Sequence, residues 1–110
     1  MSVIYELRIY SCFGGRLPAL HKRFQNHTVK LFEKHGIKNI GYWTHEVGPS
    51  RNQLVYLVAY QDLNARAQAW KNFRADPEWI KAAAESEKDG LIVEDVENRI
   101  LAPTPYSPLQ

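Results

Sequence analysis

Leu54-Val55-Tyr56-Leu57-Val58-Ala59-Tyr60 is apolar or aromatic at every position. Side chains of a strand alternate between the two faces of its sheet, so this run carries apolar groups to both faces and neither can be left in water. It predicts a central strand. Working outward, Gly48-Pro49-Ser50-Arg51-Asn52 reads as a turn, and Ile37 to Val47 before it, centred on Tyr42-Trp43-Thr44, reads as a strand. On the other side, Asp62 is placed to cap a helix from Leu63 to about Ala75 with Trp70 and Phe73 facing inward. Asp76-Pro77-Glu78-Trp79 restarts a helix, with Asp76 as its cap and Pro77 in its first turn, and Gly90 closes it.

The flanking segments complete the pattern. From Val3 to Tyr10 an apolar set (Val3, Tyr5, Leu7, Ile9) alternates with a mixed one (Ile4, Glu6, Arg8, Tyr10), which predicts a first strand. Gly14-Gly15 ends it. A helix then runs to about His35 on an apolar stripe of Leu17, Leu20, Phe24, Thr28 and Leu31, and Gly36 is the left-handed stop. The last strand spans about Ile92 to Leu101, with Asn98 and Glu94 among the apolar set Ile92, Val96 and Ile100. The order βαββαβ with right-handed crossovers gives an α+β, ferredoxin-like domain over residues 1–101. Its four-stranded antiparallel sheet has strands one and three at the centre and all helices on one face. Residues 102–110 read as a Pro-rich extended tail. The helix-free face would be a bare apolar patch, unusual on a soluble monomer. A second copy packed on it, making a dimeric α+β barrel, is the expected remedy.

Composition sets outer limits. Apolar content of 45% and charged content of 24% are ordinary for a globular domain. The formal charge of +2 comes from basic and acidic residues mixed along the chain, so no basic stripe points to nucleic acid, and no run is long enough to span a membrane. The N-terminal residues carry no basic or apolar leader pattern, and the lone Cys12 cannot form an internal disulfide. The expected location is cytoplasmic.

Several short segments resemble one family. Tyr5-Glu6-Leu7-Arg8 with Tyr10, Phe24 with His27, Gly41-Tyr42-Trp43, Leu54-Val55-Tyr56-Leu57, Trp70 with Phe73, and Asp76-Pro77-Glu78-Trp79 occur in the order and spacing of the NIPSNAP family. The resemblance spans nearly the whole chain. It implies the dimeric ferredoxin-like barrel already reached and little about activity. The family name records genomic neighbourhood, and roles of animal members in vesicle traffic and mitochondrial quality control attach to longer proteins with targeting segments.

Candidate chemistry is sparse. His21, His27 and His35 are six and eight residues apart, about 9 and 12 Å along a helix axis, too far to share one ion, so no metal is expected. His27 falls beside Phe24 and Leu31 on the inward side, where an imidazole could move a proton or bind a haem-like ligand; a hydrogen-bonded core histidine is the commoner occurrence. Glu6, Arg8 and Tyr10 share one strand face. Opening into the dimer interior they would orient a small ligand, and otherwise they form an ion pair that fixes register. Tyr42 and Trp43 point to opposite faces, so one of them should line the open face, as core or as ligand wall. Gly14-Gly15 lacks the residues of a phosphate loop, no nucleophile motif is present, and no motif names a cofactor.

Two functions fit these features. One is a homodimeric small-molecule-binding barrel, which kinship with other dimeric α+β barrels extends to a cofactor-independent oxygenase or isomerase. There Arg8 would orient the ligand, His27 would move a proton and Tyr42 or Trp43 would form a wall. The alternative is a non-catalytic interaction or adaptor module that uses its aromatic surface and tail.

Overall fold

The computed structural model describes residues 3–110. Strand β1 (Ile4–Cys12) leads into helix α1 (Leu17–Arg23), which passes through a π-helical turn (Phe24–Thr28) into α2 (Val29–Lys34). Then follow β2 (Lys38–Trp43), β3 (Gln53–Tyr60), α3 (Leu63–Ala75), α4 (Pro77–Ser86) and β4 (Val93–Leu101). The sheet order is β2-β3-β1-β4 with every neighbouring pair antiparallel, the arrangement of a ferredoxin-like fold.

Local chemistry sets the element ends. Gly36 takes φ +81°, the left-handed conformation that closes α2, where a Cβ would be strained. The Asp62 carboxylate accepts from Ala65 N–H at 2.7 Å to start α3, and Asp76 accepts from Glu78 N–H at 2.8 Å to start α4. Asp76 also accepts from Lys34 Nζ at 2.9 Å and contacts His35 Nε2 at 2.7 Å, tying the end of the first helical arm to the α3–α4 joint.

Register decides which face each residue serves. Leu54, Tyr56, Val58 and Tyr60 of β3 point to the helices and are buried, forming a core with Leu20, Phe24, Phe32, Trp70, Phe73 and Ile92. Opposite them in β1 stand Tyr10, Arg8, Glu6 and Ile4, so the mixed set lies under the helices. The apolar Leu7 and Ile9 pair with Leu57 and Val55 on the other face, where all four are only half-buried. Of the two readings of Glu6, Arg8 and Tyr10, the opening into a dimer interior is corrected and the ion pair is found: they face the helices of their own chain, with Arg8 paired to Glu6. Their charge is tolerated there because partners from distant segments meet it.

The tail also differs from expectation. It is not extended throughout; Ser107 N–H donates to Thr104 C=O at 3.0 Å to close a turn, and Tyr5 Oη donates to Gln110 C=O at 2.8 Å. The returning chain covers one end of the helix-free face beside Tyr5, Leu57 and Leu101.

Candidate functional site

Glu6 sits at the root of the site, with 0% of its surface exposed. Its Oε1 accepts from Tyr60 Oη at 2.6 Å and Arg66 Nε at 3.0 Å. Its Oε2 accepts from Arg66 Nη2 at 3.0 Å, Arg8 Nη1 at 2.9 Å and Asn98 Nδ2 at 2.8 Å. Burial alone would raise its pKa, but the hydrogen bonds from Arg66, Tyr60 and Asn98 and the charge of Arg8 overcome this and hold it at about 2. The carboxylate stays ionised in the core because each oxygen is fully engaged.

Arg8 carries this network toward the helices. Besides Glu6, its Nε donates to Tyr56 Oη at 2.7 Å and its Nη2 to Tyr10 Oη at 3.0 Å, and its guanidinium carbon lies 4.5 Å from the Trp70 ring centroid. Burial acts to discharge Arg8, yet the Tyr10, Tyr56 and Glu6 oxygens around it hold it charged. Burial likewise pushes the Tyr56 hydroxyl well above its ordinary pKa, so it serves as a neutral hydrogen-bonding group.

Above Arg8 lies a cavity of about 230 Å³ between the sheet and the helical layer. Arg8 and Tyr10 form its floor, while Phe24, Thr28, Phe32, Trp70, Phe73 and Trp79 supply most of the remaining wall, with Arg23 and Arg74 at its border. The π-helical turn shapes one side. Val29 N–H donates to Phe24 C=O five residues back, and Thr28 Oγ1 donates to Arg23 C=O at 3.3 Å. This wider turn buries both Phe24 and Thr28, beside Arg23 at the end of α1.

The same turn moves His27 outward. Expected beside the core, it is exposed and lines an open groove of about 380 Å³ with Arg16, Lys22 and Glu85, which meets the cavity at Arg23. The other candidates divide. Arg8 and Tyr10 meet at the cavity, and Glu6 braces Arg8 from behind. Tyr42 stacks on Tyr56 on the helix side, ring centroids 5.1 Å apart, and donates to Asn39 Oδ1, but stands outside the cavity. Trp43 lies on the helix-free face, 53% exposed. Among the described residues no group of three or more His, Cys, Asp or Glu side chains is placed to hold a metal ion. No helix among them is long and apolar enough to cross a membrane.

Sequence reasoning missed Arg23, Arg66 and Asn98. Asn98 carried a usable signal as a polar residue in the apolar set of β4, and Arg23 falls three residues after Leu20, on the inward arc.

Fold and cavity together define a ferredoxin-like α+β protein with an aromatic, guanidinium-bearing pocket between its helices and its sheet. The chain belongs to the NIPSNAP family, whose model matches residues 5–108. Among similar solved structures is a NIPSNAP family protein of unknown function from Agrobacterium tumefaciens. It is 30% identical over 99% of this chain and 95% of its own, with a TM-score of 0.86. An uncharacterised NIPSNAP-like domain protein from Burkholderia xenovorans is 28% identical over 97% of this chain and 90% of its own, TM-score 0.84. A proposed antibiotic biosynthesis monooxygenase from Nitrosomonas europaea, 11% identical over 94% of this chain and 99% of its own, shares the fold at a TM-score of 0.62. No curated protein matches the chain.

Proposed function

We propose that this protein is a homodimer in which each protomer binds a small organic molecule in the cavity between helices and sheet. The observation that carries the binding reading is the cavity itself. Six of its lining side chains are aromatic, and its polar groups converge from β1 and the π-helical turn, the composition of a ligand pocket rather than a solvent cleft. Its volume of about 230 Å³ is below the ~300–1,000 Å³ of drug-sized sites, so it suits a fragment-sized ligand. The walls hold no histidine, carboxylate or cysteine, which favours binding and orientation over proton transfer, and an oxygenase or isomerase step would need its reactive group from the ligand.

The dimer rests on the opposite face. Leu7, Ile9, Val55 and Leu57 make a continuous apolar patch that the tail covers at one end only. The protomer is a slab with extents of 45 × 36 × 19 Å, thin enough that only one side of the sheet is buried within it. A second sheet packed face to face would bury the remainder. Native mass spectrometry of freshly purified protein tests both parts. A dimer retaining a ligand of low mass is expected; a bare monomer that also fails to take up any compound from a fragment library would end the reading.

A further inference from the structure

Arg23 is a buried cation without a counter-ion. It is 8% exposed, and among the described residues its side chain makes one hydrogen bond, from Nη1 to the neutral Ser86 Oγ at a long 3.4 Å. Among the described residues its Nε has no partner, and no carboxylate lies within ion-pair distance. Glu87 acts on it only from farther away, and burial lowers its pKa. A buried charge is ordinarily paired, since taking an ion out of water costs several kcal/mol. The other guanidinium groups at the cavity differ. Arg8 is engaged by Glu6, Tyr10 and Tyr56, and Arg74 is exposed.

The positive side of the site is also in excess. Arg8 and Arg66 share the single carboxylate of Glu6, while Arg23 and Arg74 line a cavity whose wall holds no carboxylate. The rest of the wall is flat and apolar. Arg23 lies 5.2 Å from the Trp79 ring centroid, and Trp79 stands 4.6 Å from Phe73, which in turn lies 5.5 Å from Trp70.

We infer that the cavity takes a small, flat organic carboxylate whose anionic end is the missing counter-ion of Arg23 and whose apolar body lies among Phe24, Phe32, Trp70, Phe73 and Trp79. The inference deepens the binding reading above and depends on it. A planar guanidinium suits a carboxylate better than a point charge would, and desolvation inside an aromatic wall strengthens the pair. The π-helical turn serves this arrangement too, because it keeps Thr28 on the cavity wall where a regular helix would favour His27.

Isothermal titration calorimetry on the full chain tests this with matched probes: benzoate against benzamide and trans-cinnamate against trans-cinnamamide, pairs alike in shape and different in charge. Each acid should bind at least about tenfold more tightly than its amide, and Arg23→Met should abolish the preference. Lys22→Met, in the outer groove, should keep it. Acid and amide binding alike would overturn the anionic ligand while leaving the pocket standing. Loss of the preference in Lys22→Met, alone or together with Arg23→Met, would place the anion in the outer groove, which Arg23 also lines, and overturn it too. Binding of none of the four probes would count against pocket and inference together. Without ligand, Arg23→Met should melt no lower than the parent, because an unpaired buried cation has been removed. Should it nevertheless fail to fold, the acid-to-amide ratio of the parent protein decides alone.

Discussion

Arg66 of α3 closes a two-point ion pair on Glu6 of β1, Nε to Oε1 and Nη2 to Oε2 both at 3.0 Å. The pair joins the helical layer to the sheet across 60 residues of chain, and Asn98 of β4 and Tyr60 of β3 complete the cage. Removing the carboxylate charge leaves Arg8 and Arg66 without their anion in a buried setting. Glu6→Gln should cost about 3–5 kcal/mol of unfolding free energy at pH 7, read as a lowered urea midpoint. A loss under about 1 kcal/mol would show that the cage is not structural.

The same cage sets an acid limit. The Glu6 carboxyl titrates near 2 in the folded protein and near 4.5 when unfolded. Between these values the unfolded chain binds more protons, so stability falls as pH falls. The contribution, about 3 kcal/mol, is complete above pH 4.5 and lost on descent toward pH 2. Asp76, also held low, by Lys34, His35 and the Glu78 N–H, adds to the slope in the same direction. Urea midpoints measured from pH 6 to pH 2.5 should show the Glu6→Gln profile flatter than the parent. Parallel profiles would remove Glu6 as the source.

Asp62 and Asp76 invite comparison as caps. Asp62 only starts α3, and Asp62→Ala should cost about 1 kcal/mol. Asp76 starts α4 and also receives Lys34 and His35, so Asp76→Ala should lower the thermal midpoint by clearly more. Equal losses would reduce Asp76 to a simple cap.

How much of this was legible in the sequence depends on how far apart the interacting residues lie. The strand order, the Gly36 stop and both aspartate caps follow from signals within a few residues, and all are where the sequence placed them. The side to which β1 turns its mixed set is not local. An alternation of Ile4, Glu6, Arg8 and Tyr10 with Tyr5, Leu7 and Ile9 fits either orientation until Arg66 and Asn98 are known to meet Glu6. The place of His27 failed for another reason. Leu20, Phe24 and Thr28 recur every four residues, a spacing that a π-helical turn and a regular helix satisfy alike, so the pattern hid the extra residue that turns His27 outward.

Cys12 offers a check on packing at the end of β1. It is 4% exposed, and burial pushes its thiol upward against the opposing pull of Arg23 and Arg16. Alkylation needs both access and the thiolate. Iodoacetamide at pH 8 should therefore label native protein far more slowly than protein in concentrated urea, as followed by intact mass. Equal rates would mean that the strand end opens readily.

Leu57 stands directly opposite Leu7 in the middle of the helix-free face, with no helix of its own chain above either residue. Within the protomer a lysine there meets only the half-buried Leu7 and the edge of the tail, so Leu57→Lys should keep the helix-side core and its circular-dichroism spectrum intact. Facing a second copy of itself, the same lysine meets an apolar sheet and its own symmetry mate, which is costly both as desolvation and as like-charge contact. Analytical ultracentrifugation at micromolar concentration should therefore give twice the 12.7 kDa chain mass for the parent and the single-chain mass for Leu57→Lys. A parent that sediments as a monomer, or a variant that remains a dimer, would exclude this face as the dimer interface. Because the cavity lies on the opposite side of the sheet, the monomeric variant should still bind trans-cinnamate as the parent does, which separates assembly from ligand recognition.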